Sequence, residues 1–321
     1  MTTEILKLRV EKITQEAADI RSYEFRDPEG GDLPAFTAGA HIDVHLPGGL
    51  LRQYSLCNDP SERYRYVVAV LREASGRGGS IDMHDSVREG DIVNASPPLN
   101  NFPVSKEAKR HILLAGGIGI TPVLAMVRHL EAEGEDYQLH YCTRSEDKTA
   151  FFDLLSKEPF ASKVTFYFDG GNPANGMDVQ THLRPFSLGD HVYCCGPVGF
   201  MNAVRDAAAH WPTGTVHFEY FSVDPALAAG SGVDELFEVE IESSGEIYQI
   251  PEDKSVLDIL RDAGHDLPSA CEEGICGTCI TEVASGDIDH RDMVLDDDER
   301  EAGDLMTICC SRGRGRIVLK L

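Results

Sequence analysis

Three cysteines crowd into the stretch Ser269–Cys279, SACEEGICGTC, at the spacing C-x4-C-x2-C. A fourth, Cys309 or its neighbour Cys310, follows in TICCSRG. This is the plant-type [2Fe–2S] spacing, in which four soft thiolates hold two irons. Such a loop must wrap a cluster closely. Gly274 and Gly277 let the backbone bend and bring its N–H groups toward the sulfurs. Zinc is the competing reading, but zinc knuckles come as two separated C-x2-C pairs, and one C-x2-C is present. A one-electron cluster of this kind cannot accept a hydride, so a two-electron carrier is expected elsewhere in the chain.

The chain has 321 residues and is 42% hydrophobic, enough for several domains with cores. Met1-Thr2-Thr3-Glu4 is unlike the basic start of a secretion signal, and no run of about 18 apolar residues occurs. A cytoplasmic protein with no membrane span is expected, where clustered cysteines serve metal or redox chemistry. The formal net charge is −25, which speaks against nucleic acid and anionic membranes as partners. Residues 232–321 alone carry 23 acidic and 8 basic side chains, more than half of that excess.

The texture changes along the chain. Up to about Pro103, short alternating runs such as HIDVHLP, RQYSL and RYVVAVLRE are separated by turn residues, which predicts an antiparallel β-barrel over 1–103. From 104 to 223, strand-like and helix-like runs alternate, which predicts a doubly wound α/β domain with a parallel sheet. SVDPALAAGSGVDE contains a Gly/Ser/Ala-rich linker, 224–233. Residues 234–321 read as a ferredoxin-like α+β domain of the β-grasp kind. HRD at His290–Asp292 is read as structural, and DDDER at Asp296–Arg300 as a solvated helix start.

Four features before the linker suit a flavin and a nicotinamide nucleotide. In RQYSLCN, alternation puts Arg52 and Tyr54 on one strand face, a guanidinium for a phosphate and a ring for the isoalloxazine. Ser55 is placed to hydrogen-bond the flavin edge near N5. GRGGS, Gly76–Ser80, precedes a short helix with Ser80 as its expected N-cap, an anion site for the flavin phosphate. AGGIGITPVLAM follows the first α/β strand. There Thr121 is the expected cap and Pro122 the expected first helical residue. In YCCGP, Cys195 ends a parallel strand where a nicotinamide ring could sit.

Taken together, RQYSLCN, GRGGS, AGGIGITP, YCCGP, HFEYF, the cysteine loop, DHRDMVL and CCSR make the chain resemble the phthalate dioxygenase reductase family of the ferredoxin-NADP reductase superfamily, over nearly its full length. The resemblance implies FMN rather than FAD, held by Arg52, Tyr54, Ser55, Thr121 and Phe221, with the backbone of Ala69, Val70 and Leu71 beside the ring. It assigns Gly78, Gly79 and Ser80 to the flavin phosphate, and Gly117, Arg144, Cys195, Gly196 and Pro197 to NADH. NADPH stays open, because Arg144 and Lys148 are candidates for a 2′-phosphate. Ser55, Thr121 and Cys195 become the residues nearest the hydride transfer. The cluster ligands implied are Cys271, Cys276, Cys279 and Cys309, with Cys310 as core. The implied activity carries electrons from NADH through FMN and [2Fe–2S] to the terminal component of a Rieske-type oxygenase, by a monomer. Alternatives are a reductase for another acceptor, such as a cytochrome or demethylase, and a redox-sensing module.

Overall fold

The computed structural model describes residues 5–74, 78–222, 234–269 and 271–321. Gly76 and Arg77 of the first glycine turn, and the linker 224–233, lie outside the described residues. The chain divides into two compact units, Met1–Glu219 and Tyr220–Leu321.

In the first unit, β1 (Leu6–Ala17), β2 (Ile20–Arg26), β3 (His41–His45), β4 (Leu51–Ser55), β5 (Tyr66–Leu71) and β6 (Ile92–Ala95) form an antiparallel sheet, with helix α1 (Gly79–Ser86) between β5 and β6. The strand order is β4-β3-β6-β1-β2-β5. The two edge strands meet. Leu56, just past β4, bridges Val68 of β5, and Cys57 N donates to Val67 O at 2.8 Å. Closure pairs the edge backbone groups that an open sheet would leave exposed. Leu8, Tyr23, Phe25, Ile42 and Val68 fill the interior. Alternation along β5 sends Tyr66, Val68 and Val70 into that interior. Val67, Ala69 and Leu71 face outward onto a second core, shared with the next layer.

That layer is a parallel sheet of β7 (Arg110–Gly116), β8 (Tyr137–Thr143), β9 (Val164–Phe168), β10 (Asp190–Cys195) and β11 (Val216–Glu219). The helices along it are α2 (Ile120–Glu133), α3 (Phe152–Leu155), α4 (Val179–Leu183) and α5 (Val198–Ala207). The order β11-β10-β7-β8-β9 makes the first strand central, so the winding reverses between β7 and β10. Ligands of open parallel sheets sit at such a reversal, outside the carboxyl ends of the strands. α2 is buried along most of its length, packing Val123, Leu124 and Val127 with Leu113, Leu139 and Tyr141. The helix within the run TAFFDLLS is a single turn. Phe151 precedes it in a left-handed conformation (φ 59°), which a longer helix could not include.

The second unit holds β12 (Phe237–Ile241), β13 (Ile247–Ile250), β14 (Ile280–Asp289), β15 (Leu305–Thr307) and β16 (Arg312–Leu319), with α6 (Val256–Asp262) and α7 (Asp297–Ala302). The order is β13-β12-β16-β14-β15, with β12 and β16 parallel and the other pairs antiparallel. α6 opens with a reciprocal Ser255–Asp258 capping box and buries Val256, Leu257 and Leu260 against Phe237, Val239 and Ile317. α7 opens with a second such box, Asp296–Glu299, the helix start read from DDDER. Among the described residues no helix is long and apolar enough to cross a membrane.

Candidate functional site

Arg52 lies on the edge strand β4 and packs across Gly79 in the first turn of α1, where a Cβ would collide with its side chain. A guanidinium therefore stands beside a helix N-terminus, the pairing that suits a phosphate. Ser80 is not the N-cap. Gly78 holds that position, and Ser80 Oγ instead accepts a hydrogen bond from Glu73 N at 3.1 Å. The hairpin turn before β4 is tied to the same helix by Gly48 N donating to Asp82 Oδ2 at 2.8 Å.

Tyr54 Oη is buried and has no hydrogen-bond partner among the described residues. Burial pushes its phenol well above the usual range. An orphaned buried hydroxyl is costly unless something completes it, so this strand fits a ligand carrying hydrogen-bonding edges. Ala69 and Leu71 face the same layer as the glycine turn Gly117–Gly119, which lies against β5. Val70 turns its side chain into the barrel, and its carbonyl oxygen sits 2.8 Å from His84 Nε2.

At the sheet reversal the two glycine turns touch. A Cβ on Gly119 would strike the Cys195 carbonyl. One on Gly116 would stand 2.7 Å from Pro197 Cδ, and one on Gly196 2.9 Å from Gly116 Cα. The carboxyl ends of β7 and β10 can approach this closely only because side chains are missing. The turn Gly117–Gly119 is further pinned by Tyr141 Oη donating to Gly117 O at 3.1 Å. Thr121 is not the cap of α2. Gly119 takes that position, Thr121 Oγ1 donates to Ile118 O at 3.1 Å, and Pro122 is the third helical residue. The 3-10 turn ahead of α2 begins the helix earlier than its sequence indicates.

One functional side chain escaped the sequence reading. Glu219 ends β11 in register with Cys195 and accepts a hydrogen bond from Ser55 Oγ at 3.2 Å. Burial raises its carboxyl to about 8, against which the Ser55 bond acts. Burial, then the neighbouring Glu219, pushes the Cys195 thiol up as well. The structure thus gathers Ser55 from the barrel with Cys195 and Glu219 from the parallel sheet. An acid in the otherwise apolar-aromatic run HFEYF was the available signal.

Arg144 is exposed just past β8, and its carbonyl accepts from Gly170 N at 2.9 Å. Lys148 is paired with Asp19 and is therefore already engaged. Phe221 is 39% exposed, two residues beyond β11.

In the second unit the thiols come in two pairs. Cys271 and Cys276 act on each other's thiols, pushing the first up and the second down, and Cys309 and Cys279 do the same. Among the described residues no group of three or more His, Cys, Asp or Glu side chains is arranged to hold a metal ion. Two cysteine pairs are the donor set for two irons, each with two protein thiolates. Cys276 Sγ lies 3.3 Å from Thr278 Oγ1, and Glu273 N donates to Cys271 Sγ at 3.4 Å. Cys310 Sγ lies 3.4 Å from Thr307 Oγ1. Asp292, of the HRD run, is fully buried. It accepts from Val294 N (3.1 Å), Leu295 N (2.8 Å), Thr307 Oγ1 (3.2 Å) and Ser311 Oγ (3.4 Å). Its carboxyl is held at about 2: burial opposes this, and His290, the two amides and Arg300 outweigh burial.

Comparison with known proteins agrees with this division. Residues 113–206 match an oxidoreductase NAD-binding domain, and residues 239–313 a 2Fe-2S iron-sulfur cluster binding domain. The phthalate dioxygenase reductase of Burkholderia cepacia is 46% identical over 318 residues, covering 98% of this chain and 97% of that protein. A tert-butanol monooxygenase / tert-amyl alcohol desaturase reductase subunit of Aquincola tertiaricarbonis is 45% identical, covering 97% and 94%. Among solved structures, a phthalate dioxygenase reductase superposes with a TM-score of 0.77 at 46% identity, covering 99% of this chain and 98% of that one. An intact type IV self-sufficient cytochrome P450 monooxygenase gives 0.84 at 39% identity, covering 99% of this chain and 41% of that one.

Proposed function

The chain belongs to the phthalate dioxygenase reductase family, and from that premise we propose that it is the NADH-dependent reductase component of a two-component Rieske-type oxygenase. Electrons pass from NADH by way of FMN and a [2Fe–2S] cluster to a terminal oxygenase. The observation that carries this reading is the joint presence, in one polypeptide, of the Ser55–Glu219–Cys195 constellation and of two cysteine pairs.

Bound FMN supplies a carrier that takes a hydride and gives up electrons singly. The chain's own residues place and shield it. Arg52 and the first turn of α1 offer one compact phosphate site, which favours FMN. The close contact of the turns at Gly119 and Cys195 fixes the carboxyl ends of β7 and β10, where a bound nicotinamide would lie. Ser55 Oγ and Glu219 Oε2 hold a proton between them. The engagement of Lys148 with Asp19 removes one of two cations that a 2′-phosphate would use, which favours NADH. Cys271, Cys276, Cys279 and Cys309 hold the cluster, with Thr278 and the Glu273 amide near the sulfurs.

Absorbance of the purified protein before and after anaerobic NADH tests the reading. Flavin and iron–sulfur bands that both bleach are expected. Colourless protein, or yellow protein without iron and labile sulfide, overturns it. A second acceptor class is favoured by one observation. The same fold, over 99% of this chain, forms part of a self-sufficient cytochrome P450 monooxygenase. Turnover with a purified Rieske oxygenase against a purified cytochrome separates the two.

A further inference from the structure

A cavity of about 280 Å³ lies between the β1–β2 hairpin of the barrel and the helices α2 and α3 of the parallel layer. None of its lining residues is among those assigned above to FMN, NADH or the cluster. One wall follows from strand alternation. Tyr23 turns into the barrel interior, so Ser22 and Glu24 face outward, and the register pairs them with Thr14 and Lys12. Glu16 extends the same face of β1 and completes a polar wall. The remaining surface comes from Arg128 of α2 and from the apolar side chains of Val67, Cys57, Leu154 and Phe151. Phe151 is the residue held in left-handed backbone (φ 59°) ahead of α3.

The charged side chains of the cavity fall into two groups. The first is closed. Arg65 donates to Glu24 at 2.7 Å and to both Glu62 oxygens at 2.9 Å, and Glu24 also pairs with Arg26 at 2.7 Å. The second is not closed. Ser22 Oγ donates to Glu16 Oε1 at 2.6 Å. Lys12 and Arg128 act on that carboxyl through their charges alone, and among the described residues neither makes a hydrogen bond or an ion pair. Burial raises the Glu16 carboxyl, while the Ser22 bond and the two cations oppose the rise. Two cations therefore stand against one acid, beside an apolar surface.

We propose that this cavity binds a small monocarboxylate with an apolar body, its charged end taken by Arg128 and Lys12 and its body laid against Phe151, Leu154 and Val67. A guanidinium presents a planar fork of donors that matches a carboxylate, and an ammonium adds a second point of charge. One positive charge in excess selects a monoanion over a dianion. The apolar side chains give the rest of the molecule a place out of water. The volume suffices, since a cavity of about 150 Å³ already holds benzene. Such an occupant would bridge the barrel hairpin and α2.

The test is calorimetric titration of the full chain, loaded with FMN and its cluster and saturated with NAD+, so that the flavin and nucleotide sites are filled. The probes are benzoate, benzyl alcohol, which has the ring without the charge, and inorganic phosphate, which has charge without the ring. Benzoate is expected to bind at a single site, and the other two about 10-fold or more weakly. Arg128→Gln is expected to weaken benzoate about 10-fold or more, and Lys12→Met, at an exposed position, about 2- to 5-fold. Absence of saturable benzoate binding overturns the proposal. So does a benzoate affinity that is unchanged in Arg128→Gln with parent-like flavin and iron–sulfur spectra. Phosphate or benzyl alcohol binding as tightly as benzoate overturns it too, because charge or apolar surface alone would then be what the cavity offers. Where Arg128→Gln fails to fold, Lys12→Met decides, and an unchanged affinity there overturns the proposal.

Discussion

Glu219 decides how the site around Ser55 behaves with pH. Its folded carboxyl is raised from 4.5 to about 8, first of all by burial. A raised carboxyl favours the folded state fully below the unfolded value, and that advantage is lost as pH climbs through the folded one. Glu219→Gln keeps the shape without the charge. Thermal unfolding of the two proteins should therefore agree below about pH 4.5 and diverge upward, with the variant more stable by pH 8. The rate of NADH oxidation with an artificial acceptor should lose its inflection near pH 8 in the same variant. Arg52→Ala tests the other end of the site. Hydrogen bonds to charged groups contribute about 1.5–3 kcal/mol, so flavin affinity should fall about 10- to 100-fold, read as the recovery of free-flavin fluorescence on dilution. Arg52, Ser55 and Cys195 were legible because each sits in a run with its own period and chemistry. Glu219 was not, because a sequence does not show that a carboxyl near the end of one strand will accept a hydrogen bond from a serine 164 residues away.

Among the elements, the reversal between β7 and β10 is the most constrained. Gly119→Ala would drive a methyl into the Cys195 carbonyl, and overpacking of this kind costs on the order of 1–3 kcal/mol. NADH affinity should fall while the iron–sulfur spectrum stays unchanged, since the turn belongs to the first unit and the cysteines to the second. β7, β10 and the adjoining β11 carry a row of histidines, His111, His191 and His217. His191 Nδ1 lies 3.0 Å from His217 Nε2, and the Tyr193 ring stacks on His217. Burial lowers all three, His217 to about 4. A lowered histidine contributes stability that is present above about 6.5 and lost as pH falls toward the folded value. The first unit should therefore lose stability from pH 6.5 to about 4, and His217→Gln should flatten that slope in thermal unfolding. Strand and helix positions were largely readable from alternation and from the glycine turns. The order β4-β3-β6-β1-β2-β5 was not, because closure depends on backbone pairing of Leu56 with Val68, which no side-chain pattern marks. The capping residues were misread for a related reason. Glycine took both N-caps, and the nearby Ser80 and Thr121 hydroxyls were used for local bonds inside the turn.

At the scale of the whole molecule, charge is the property that no single site explains. Residues 232–321 hold 23 of the acidic side chains against 8 basic ones, and the capped helix α7 displays Asp298 and Glu301 to solvent. A field of one sign raises the encounter rate with a basic partner surface, and salt weakens it as the screening length falls from about 30 Å at 0.01 M to about 8 Å at 0.15 M. Electron transfer to the terminal oxygenase should therefore slow as ionic strength rises over that range. Transfer to a small neutral acceptor at saturating NADH should hardly change, which separates docking from the internal steps. Asp298→Lys with Glu301→Lys should reduce the salt slope without altering the cluster spectrum, because neither residue touches the cysteine loop or the Asp292 group in any described contact. Oxygenase-dependent rates that stay flat from low to high salt would mean that the acidic surface serves solubility alone. The partner would then have to recognise the reductase through shape and apolar contact.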